Sequence, residues 1–203
     1  MNKIKVKNIF AAVSDKLILD SLLAILDSKS VKFWGTEGTI KYLKSKGFDA
    51  QSVVAGFDFD GRVKSLDRVI FARILADRSN KKHLEELRKL GTVASHSRPD
   101  RESDPRFRKD DAEPIDLVVV DLYPLNKNNF PESMDIGGQA LIRAAVKNFQ
   151  NVALAFDAQS IKDLAEELKS DQSTTFPFRK TQAKKALEFI AERAKKESFS
   201  VDR

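Results

Sequence analysis

Apolar residues fall into two rhythms along this chain: short unbroken runs rich in β-branched and aromatic side chains, and longer stretches with apolar positions three and four apart. The first reads as buried strand and the second as amphipathic helix. Residues 7–13 form the first predicted strand. A helix over 15–27 follows, with Leu19, Leu22, Leu23 and Leu26 on one face and Ser14 placed to cap it. A second strand covers 30–34, a turn 35–39, and a short helix 39–46 ends at Gly47. The run IDLVVV at 115–120 is the clearest strand, and its unbroken apolar stretch predicts burial on both faces. A turn at 135–138 opens a helix over 139–148, and a strand at 151–156 follows. Helices over 161–170 and 181–196 close the pattern. The last has Ala183, Ala186, Leu187, Ile190 and Ala194 on one face, for packing on the body or on a second subunit. Strands separated by helices predict an α/β fold, a parallel sheet flanked by helices on both faces. Two stretches interrupt it: residues 91–113, charged and almost free of apolar residues, read as a surface loop, and 170–177 as a polar connector. There is no internal repeat.

With 203 residues, 41% of them hydrophobic, the chain can bury one sizeable core. A single domain over 1–203 is expected, with 178–203 as a C-terminal helical segment. Lys plus Arg total 36 against 30 Asp plus Glu, a net charge of +6. That modest excess suits an anionic small molecule and is too diffuse to argue for nucleic acid. The absence of cysteine excludes disulfides, thiolate chemistry and sulfur-ligated zinc. His83 and His96 are the only histidines and neither lies in a metal-ligand spacing, so no metal site is expected. The first ten residues are lysine-rich, with no apolar run long enough for a signal peptide or a membrane span. A cytoplasmic location is the plain expectation.

Ligands of open parallel sheets sit at the carboxyl ends of the strands. Four polar segments fall there: Ser14-Asp15-Lys16, Gly35-Thr36-Glu37-Gly38-Thr39, Asp121-Leu122-Tyr123-Pro124 and Asp135-Ile136-Gly137-Gly138. A helix start offers N–H groups without internal partners, and glycine lets an anion approach the backbone. With the hydroxyls of Ser14, Thr36 and Thr39 and the Lys16 ammonium, the first two segments fit a phosphate cradle. They fit ordinary capping and tight turns equally well. GTEGT lacks the Gly-Lys-Ser/Thr ending of a P-loop. The cations of the turn Asp60–Ser65, the carboxylate of Asp135 and the ammonium of Lys147 each have a plain structural reading as well: a solvated loop, a helix cap and a helix-dipole partner.

Taken in order, VSDK, GTEGT, DGRVKSL, IDLVVVDLYPL and DIGGQALIRAAVKN resemble the successive signatures of the inosine-monophosphate (IMP) cyclohydrolase domain of the bifunctional purine-biosynthesis enzyme. The similarity runs from about residue 8 to 156. No counterpart of that family's formyltransferase domain is recognised. The resemblance implies a methylglyoxal-synthase-like fold and a reaction without metal or cofactor. In it, the carboxamide nitrogen of a formamidoimidazole-carboxamide ribonucleotide attacks the neighbouring formyl carbon and water leaves. It implies catalytic roles for Lys64, Tyr123, Asp135 and Lys147. It further implies that Ser14, Lys16, Gly35, Thr36, Gly38, Thr39, Arg62, Ser65, Asp121, Gly137 and Gly138 bind the substrate and its phosphate. A purine ribonucleotide is the expected small-molecule partner, with a homodimer and a separate formyltransferase as the expected protein partners, and neither nucleic acid nor membrane. The pattern departs from the family at Gly35, at Glu37, which puts a carboxylate near the phosphate, at Asp67-Arg68, at Asp121 and at Gln139-Ala140. Two other readings use the same features: another phosphate-binding enzyme of this fold, such as a methylglyoxal synthase, and a non-catalytic purine-nucleotide sensor.

Overall fold

The run IFAA alternates its side chains between two cores. Ile9 and Ala11 enter one apolar cluster, Phe10 the other, and none is exposed to solvent. In the same way Leu117 and Val119 face one side and Val118 and Val120 the other. This period-two division is what a strand covered on both faces requires. The structure, a computed structural model, describes residues 3–53, 66–93 and 113–201.

Five strands form one sheet: β2 (Asn8–Ala12), β3 (Lys32–Gly35), β4 (Asp49–Ser52), β5 (Leu117–Val120) and β6 (Ala153–Ala155). Their order is β4-β3-β2-β5-β6, and every pairing is parallel. A separate antiparallel ribbon joins β1 (Ile4–Lys5) to β7 (Ser173–Thr174). One face of the sheet carries α1 (Asp20–Leu23), α2 (Glu37–Ser45) and α6 (Ala158–Leu168), through Leu22, Leu43 and Leu164 among others. The opposite face carries α3 (Arg68–Leu75), α5 (Ile136–Lys147) and α7 (Phe176–Val201), through Ile70, Leu141 and Ala186. A further helix, α4 (Lys81–Val93), packs on α3. The α/β sandwich expected from the chain is therefore present. β2 is central: the chain builds outward from it to β3 and β4, then resumes on its other side with β5 and β6. The topological switch lies between β2 and β5, and ligands of such sheets bind beyond the strand ends at that point.

Several local expectations are corrected. The helix over 15–27 is a short 3-10 segment, Lys16–Leu19, running into α1. Its cap is Asp15, whose carboxylate accepts from the Leu17 N–H, because the Ser14 hydroxyl is drawn away to Asp121. α5 begins at Ile136, three residues early, because Asp135 caps it and accepts from Gly138 N–H at 2.6 Å. The polar connector 170–177 holds β7 and the start of α7, which extends the last helix to 26 residues. On α7, Ala183, Ala186 and Ile190 are buried, but Leu187 and Ala194 are exposed. The buried stripe continues through Arg179, Gln182, Glu197 and Ser200, because the helix ends meet backbone carbonyls and polar side chains rather than apolar surface. The strand β4 and the helices α3 and α4 were not foreseen. Of the stretch 91–113, residues 91–93 lie in α4, Glu113 is described, and 94–112 lie outside the described residues.

Two links outside the cleft hold the ends of the sheet. The buried Asp116 carboxylate accepts from the N–H groups of Lys7 and Asn8 at 2.8 and 2.6 Å and pairs with Arg78. Burial pushes that carboxyl above its ordinary value, against the pull of the Arg78 charge and the two N–H groups. Arg179, buried at the start of α7, donates to the carbonyls of Phe149, Gln150 and Thr174. Its acidity is raised by the same desolvation.

Candidate active site

The carboxyl ends of β2, β3 and β5 open into a cleft of about 870 Å³. At the switch point, Asp121 follows β5 and clasps the turn after β2. Its carboxylate accepts from Ser14 N–H, from the Ser14 hydroxyl at 2.7 Å and from Asp15 N–H at 3.2 Å. The carboxylate expected to contact substrate is thus engaged in holding two strand ends together, and the Ser14 hydroxyl with it. A hydrogen bond to an ionised partner is stronger than a neutral one, so this clasp fixes the floor of the cleft.

On the β2–β3 side, the Lys16 ammonium folds back to donate to the carbonyls of Val13 and Ser14, both at 2.8 Å. It stands over Gly38, where even an added Cβ would lie only 3.8 Å from Nζ. Gly38 is in the first turn of α2, whose N-cap Thr36 makes no capping hydrogen bond through its side chain. The Thr36 hydroxyl instead lies 3.2 Å from that of Thr39. The first N–H groups of α2 therefore have no partner among the described residues, and one ammonium faces them. That is a favourable setting for an anion. Glu37 does not spoil it: its carboxylate pairs with Lys41 at 3.1 Å, and both side chains are largely exposed. Two expected phosphate ligands are not in the cleft lining. Thr39 is fully buried, and its hydroxyl accepts from Val13 N–H at 3.2 Å, tying α2 to the end of β2. Gly35 ends β3 opposite Ala11, and a Cβ there would fall 1.9 Å from the Ala11 carbonyl oxygen. That glycine is required by strand packing rather than by a ligand.

On the α5 side, Asp135, Gly137, Gly138 and the exposed Tyr123 line the cleft. One Asp135 oxygen caps Gly138 and the other accepts from Tyr123 N–H at 3.1 Å. A Cβ on Gly138 would meet the Asp135 carboxylate and Leu122 at 2.7 Å, so glycine is what lets the carboxylate curl over the helix start. Lys147 ends the same helix and is exposed. Nine helical steps separate it from Gly138, about 14 Å at 1.5 Å per residue, and it does not line the cleft. Arg62, Lys64 and Ser65 lie outside the described residues.

The sequence reading missed Lys41, Pro131, Glu132 and Met134 as lining residues. Lys41 was within reach of it, standing four residues after Glu37 on a helix. The other three gave no signal, because only the folded 123–135 loop brings them to the cleft. Among the described residues no cluster of His, Asp and Glu is arranged to hold a metal ion, and no helix is long and apolar enough to cross a membrane.

No family model matches the chain. Among characterised proteins, the bifunctional purine biosynthesis protein PurH of Clostridium kluyveri is 36% identical over 192 residues, 89% of this chain and 34% of that protein. PurH of Rhodopirellula baltica is 34% identical over 201 residues, 93% and 35% of the respective chains. This is a PurH-type domain. The chain spans about a third of the length of these relatives. Among solved structures, the crystal structure of ForH matches with a TM-score of 0.70 and 26% identity over 97% of both chains. The PurH-type domain has the methylglyoxal-synthase-like arrangement, and its cleft lies at the sheet's switch point.

Proposed function

We propose that this PurH-type domain is an IMP cyclohydrolase of purine biosynthesis. It closes the six-membered ring of 5-formamidoimidazole-4-carboxamide ribonucleotide by loss of water. The observation that carries the reading is the placement of Tyr123 and Asp135 on one wall of a cleft whose other wall presents Lys16 and the open start of α2. A nucleotide spanning the cleft puts its phosphate against the α2 N–H groups and Lys16, and its reacting ring against Tyr123 and Asp135.

The chemistry needs little from the protein beyond geometry and charge. The carboxamide nitrogen attacks the formyl carbon within one molecule, so holding the two groups in contact supplies a large part of the acceleration. The formyl oxygen gains negative charge and leaves as water after taking up two protons. The carboxamide nitrogen gives up one proton and keeps the other as the ring N–H, and the formamido nitrogen gives up the second as the C=N bond forms. In this reading the Tyr123 hydroxyl donates to that oxygen, and Lys64 shares this task by family likeness. Asp135 already accepts one N–H on each oxygen, and each oxygen keeps a lone pair for the amide N–H. It thus orients the nucleophile and is the group available to take its proton. Lys147 has no part in this scheme within one copy of the chain.

Purified protein, incubated with the formylated ribonucleotide and a chelator, is expected to form IMP. Tight binding of IMP without turnover would favour the nucleotide-sensing alternative. We also propose a homodimer, since Leu187, Phe199 and Val201 leave apolar surface exposed on α7. Light scattering of a fully active monomer would refute it.

A further inference from the structure

The wall of the cleft that bears Tyr123 and Asp135 is a long loop from β5 to α5, and its two ends lie beyond the last strand pairing. They converge on one side chain from the far end of the chain. Arg193, on α7, donates from Nη1 to the Tyr123 carbonyl at 2.8 Å and from Nη2 to the Ser133 carbonyl at 3.2 Å. Its Nε donates to Glu197 at 2.8 Å. Glu197 is in turn held by the Gln139 side-chain amide at 3.0 Å, on α5. The guanidinium and the carboxylate are both close to fully buried, at 11% and 9% exposure. The fork therefore closes the base of the loop, and the Glu197–Gln139 link fixes the fork to the helix that Asp135 caps.

We infer that Arg193 is a positioning residue for the site: its planar fork sets the spacing between Tyr123 and the segment leading into Asp135, with Glu197 holding the fork in register. The proposal rests on the cyclohydrolase reading for its kinetic consequence and not for its structural one. Tyr123 is joined to Asp135 through its own N–H and to Arg193 through its carbonyl. Releasing the carbonyl lets the residue swing away from the reacting groups. Lysine cannot replace the fork, because a single ammonium on a flexible stem lacks two donors in fixed parallel geometry.

Hydrogen exchange read by mass spectrometry over residues 123–135, together with steady-state kinetics, tests this. Internal amides of the loop, such as Ser133 N–H to the Asn129 carbonyl at 2.9 Å, report its order. Arg193→Ala and Arg193→Lys are both expected to speed exchange in this loop about tenfold or more. They should lower kcat by about ten- to a hundredfold with KM within about threefold, the scale of a misplacement near 1 Å. Glu197→Gln should give a smaller change of the same kind. Lys184→Ala, an exposed position on the same helix, serves as the control and should change neither. Should Arg193→Ala fail to fold, Arg193→Lys and Glu197→Gln carry the test. Wild-type exchange in Arg193→Lys, or a kcat equal to that of the control, overturns the inference. A wild-type protein that forms no IMP refutes the cyclohydrolase reading instead, and loop exchange then decides the role of Arg193 alone.

Discussion

On the β2–β3 side of the cleft, Lys16, Thr36 and Gly38 stand within four residues of a strand end, and their contacts are with near neighbours or with the adjacent strand turn. On the α5 side, Tyr123 and Asp135 bracket a loop whose geometry depends on Arg193, 70 residues beyond Tyr123. The first side is stiff because the sheet is stiff: its turns begin where parallel hydrogen bonding ends. The second is a span of side-chain hydrogen bonds, each worth roughly 1 kcal/mol net or somewhat more where a charge takes part. Binding of a constant group such as phosphate belongs naturally to the first. Groups that must meet a changing transition state are carried by the second, where modest adjustment is possible. The Glu37–Lys41 pair shows the same contrast on a small scale, since it is solvent-exposed and local and alters charge without altering the frame.

The contrast can be broken most forcefully at Gly35. An added methyl group would collide with the Ala11 carbonyl, so Gly35→Ala should destabilise the domain by about 3 kcal/mol, the upper range for overpacking a tight core. Chemical denaturation would show this as a lower midpoint at unchanged slope, and a wild-type midpoint would mean that the β2–β3 side is looser than described. Next in size is the opposite wall. Asp135→Asn should lower kcat by about a hundredfold or more, the scale for losing a positioned acid–base group, with the fold intact by circular dichroism. Normal turnover would remove Asp135 from the reacting groups. A smaller effect is expected at Lys16. Lys16→Ala should weaken affinity for substrate or IMP by about tenfold, one charge-assisted hydrogen bond of ~1.5 kcal/mol, with kcat nearly unchanged. Lost turnover with affinity retained would reverse the assignment of the two sides.

The smallest predicted effect lies behind the β2–β3 side, where Tyr42 on α2 donates to Asp20 on α1 and Lys46 approaches the same carboxylate at 3.0 Å. The Tyr42 hydrogen bond, with Lys46 second, holds the Asp20 carboxyl below its ordinary value. A carboxyl lowered in the folded state adds stability above its unfolded value, and that contribution is lost as pH falls through its folded value. Tyr42→Phe should therefore move the Asp20 titration, followed by NMR, upward toward the ordinary carboxylate range. An unmoved titration would show that Lys46 alone sets it.

The alternation of Ile9, Phe10 and Ala11, the run at 117–120, and the helical spacing of Ile40 with Leu43 were readable because they are local and repetitive. Each buries one face whatever the rest of the chain does. The cleft's position followed from the same order of elements, since strand ends in a doubly wound sheet converge at the switch point. The capping Asp135 and the following glycines were legible for the same local reason, a carboxylate three residues before a free N–H. What the tertiary structure decided was the use made of individual polar groups. The strand β4, with sequence DAQS, has no apolar rhythm of its own and forms because β3 offers it an unpaired edge. Ser14 has the composition of a cap but pairs with Asp121, 107 residues away, leaving capping to Asp15. Gly35 belongs by sequence to a phosphate turn and by packing to Ala11. Lys147 shares a motif with Asp135 but stands at the other end of the helix, because eleven residues of helix separate their backbones however close they are in the chain's pattern. Arg193 gives one local sign, its pairing with Glu197 four residues on, while its two decisive acceptors are backbone carbonyls that any sequence would supply. Periodicity fixes which face a residue presents; only the assembled fold fixes which distant carbonyl or carboxylate that face meets.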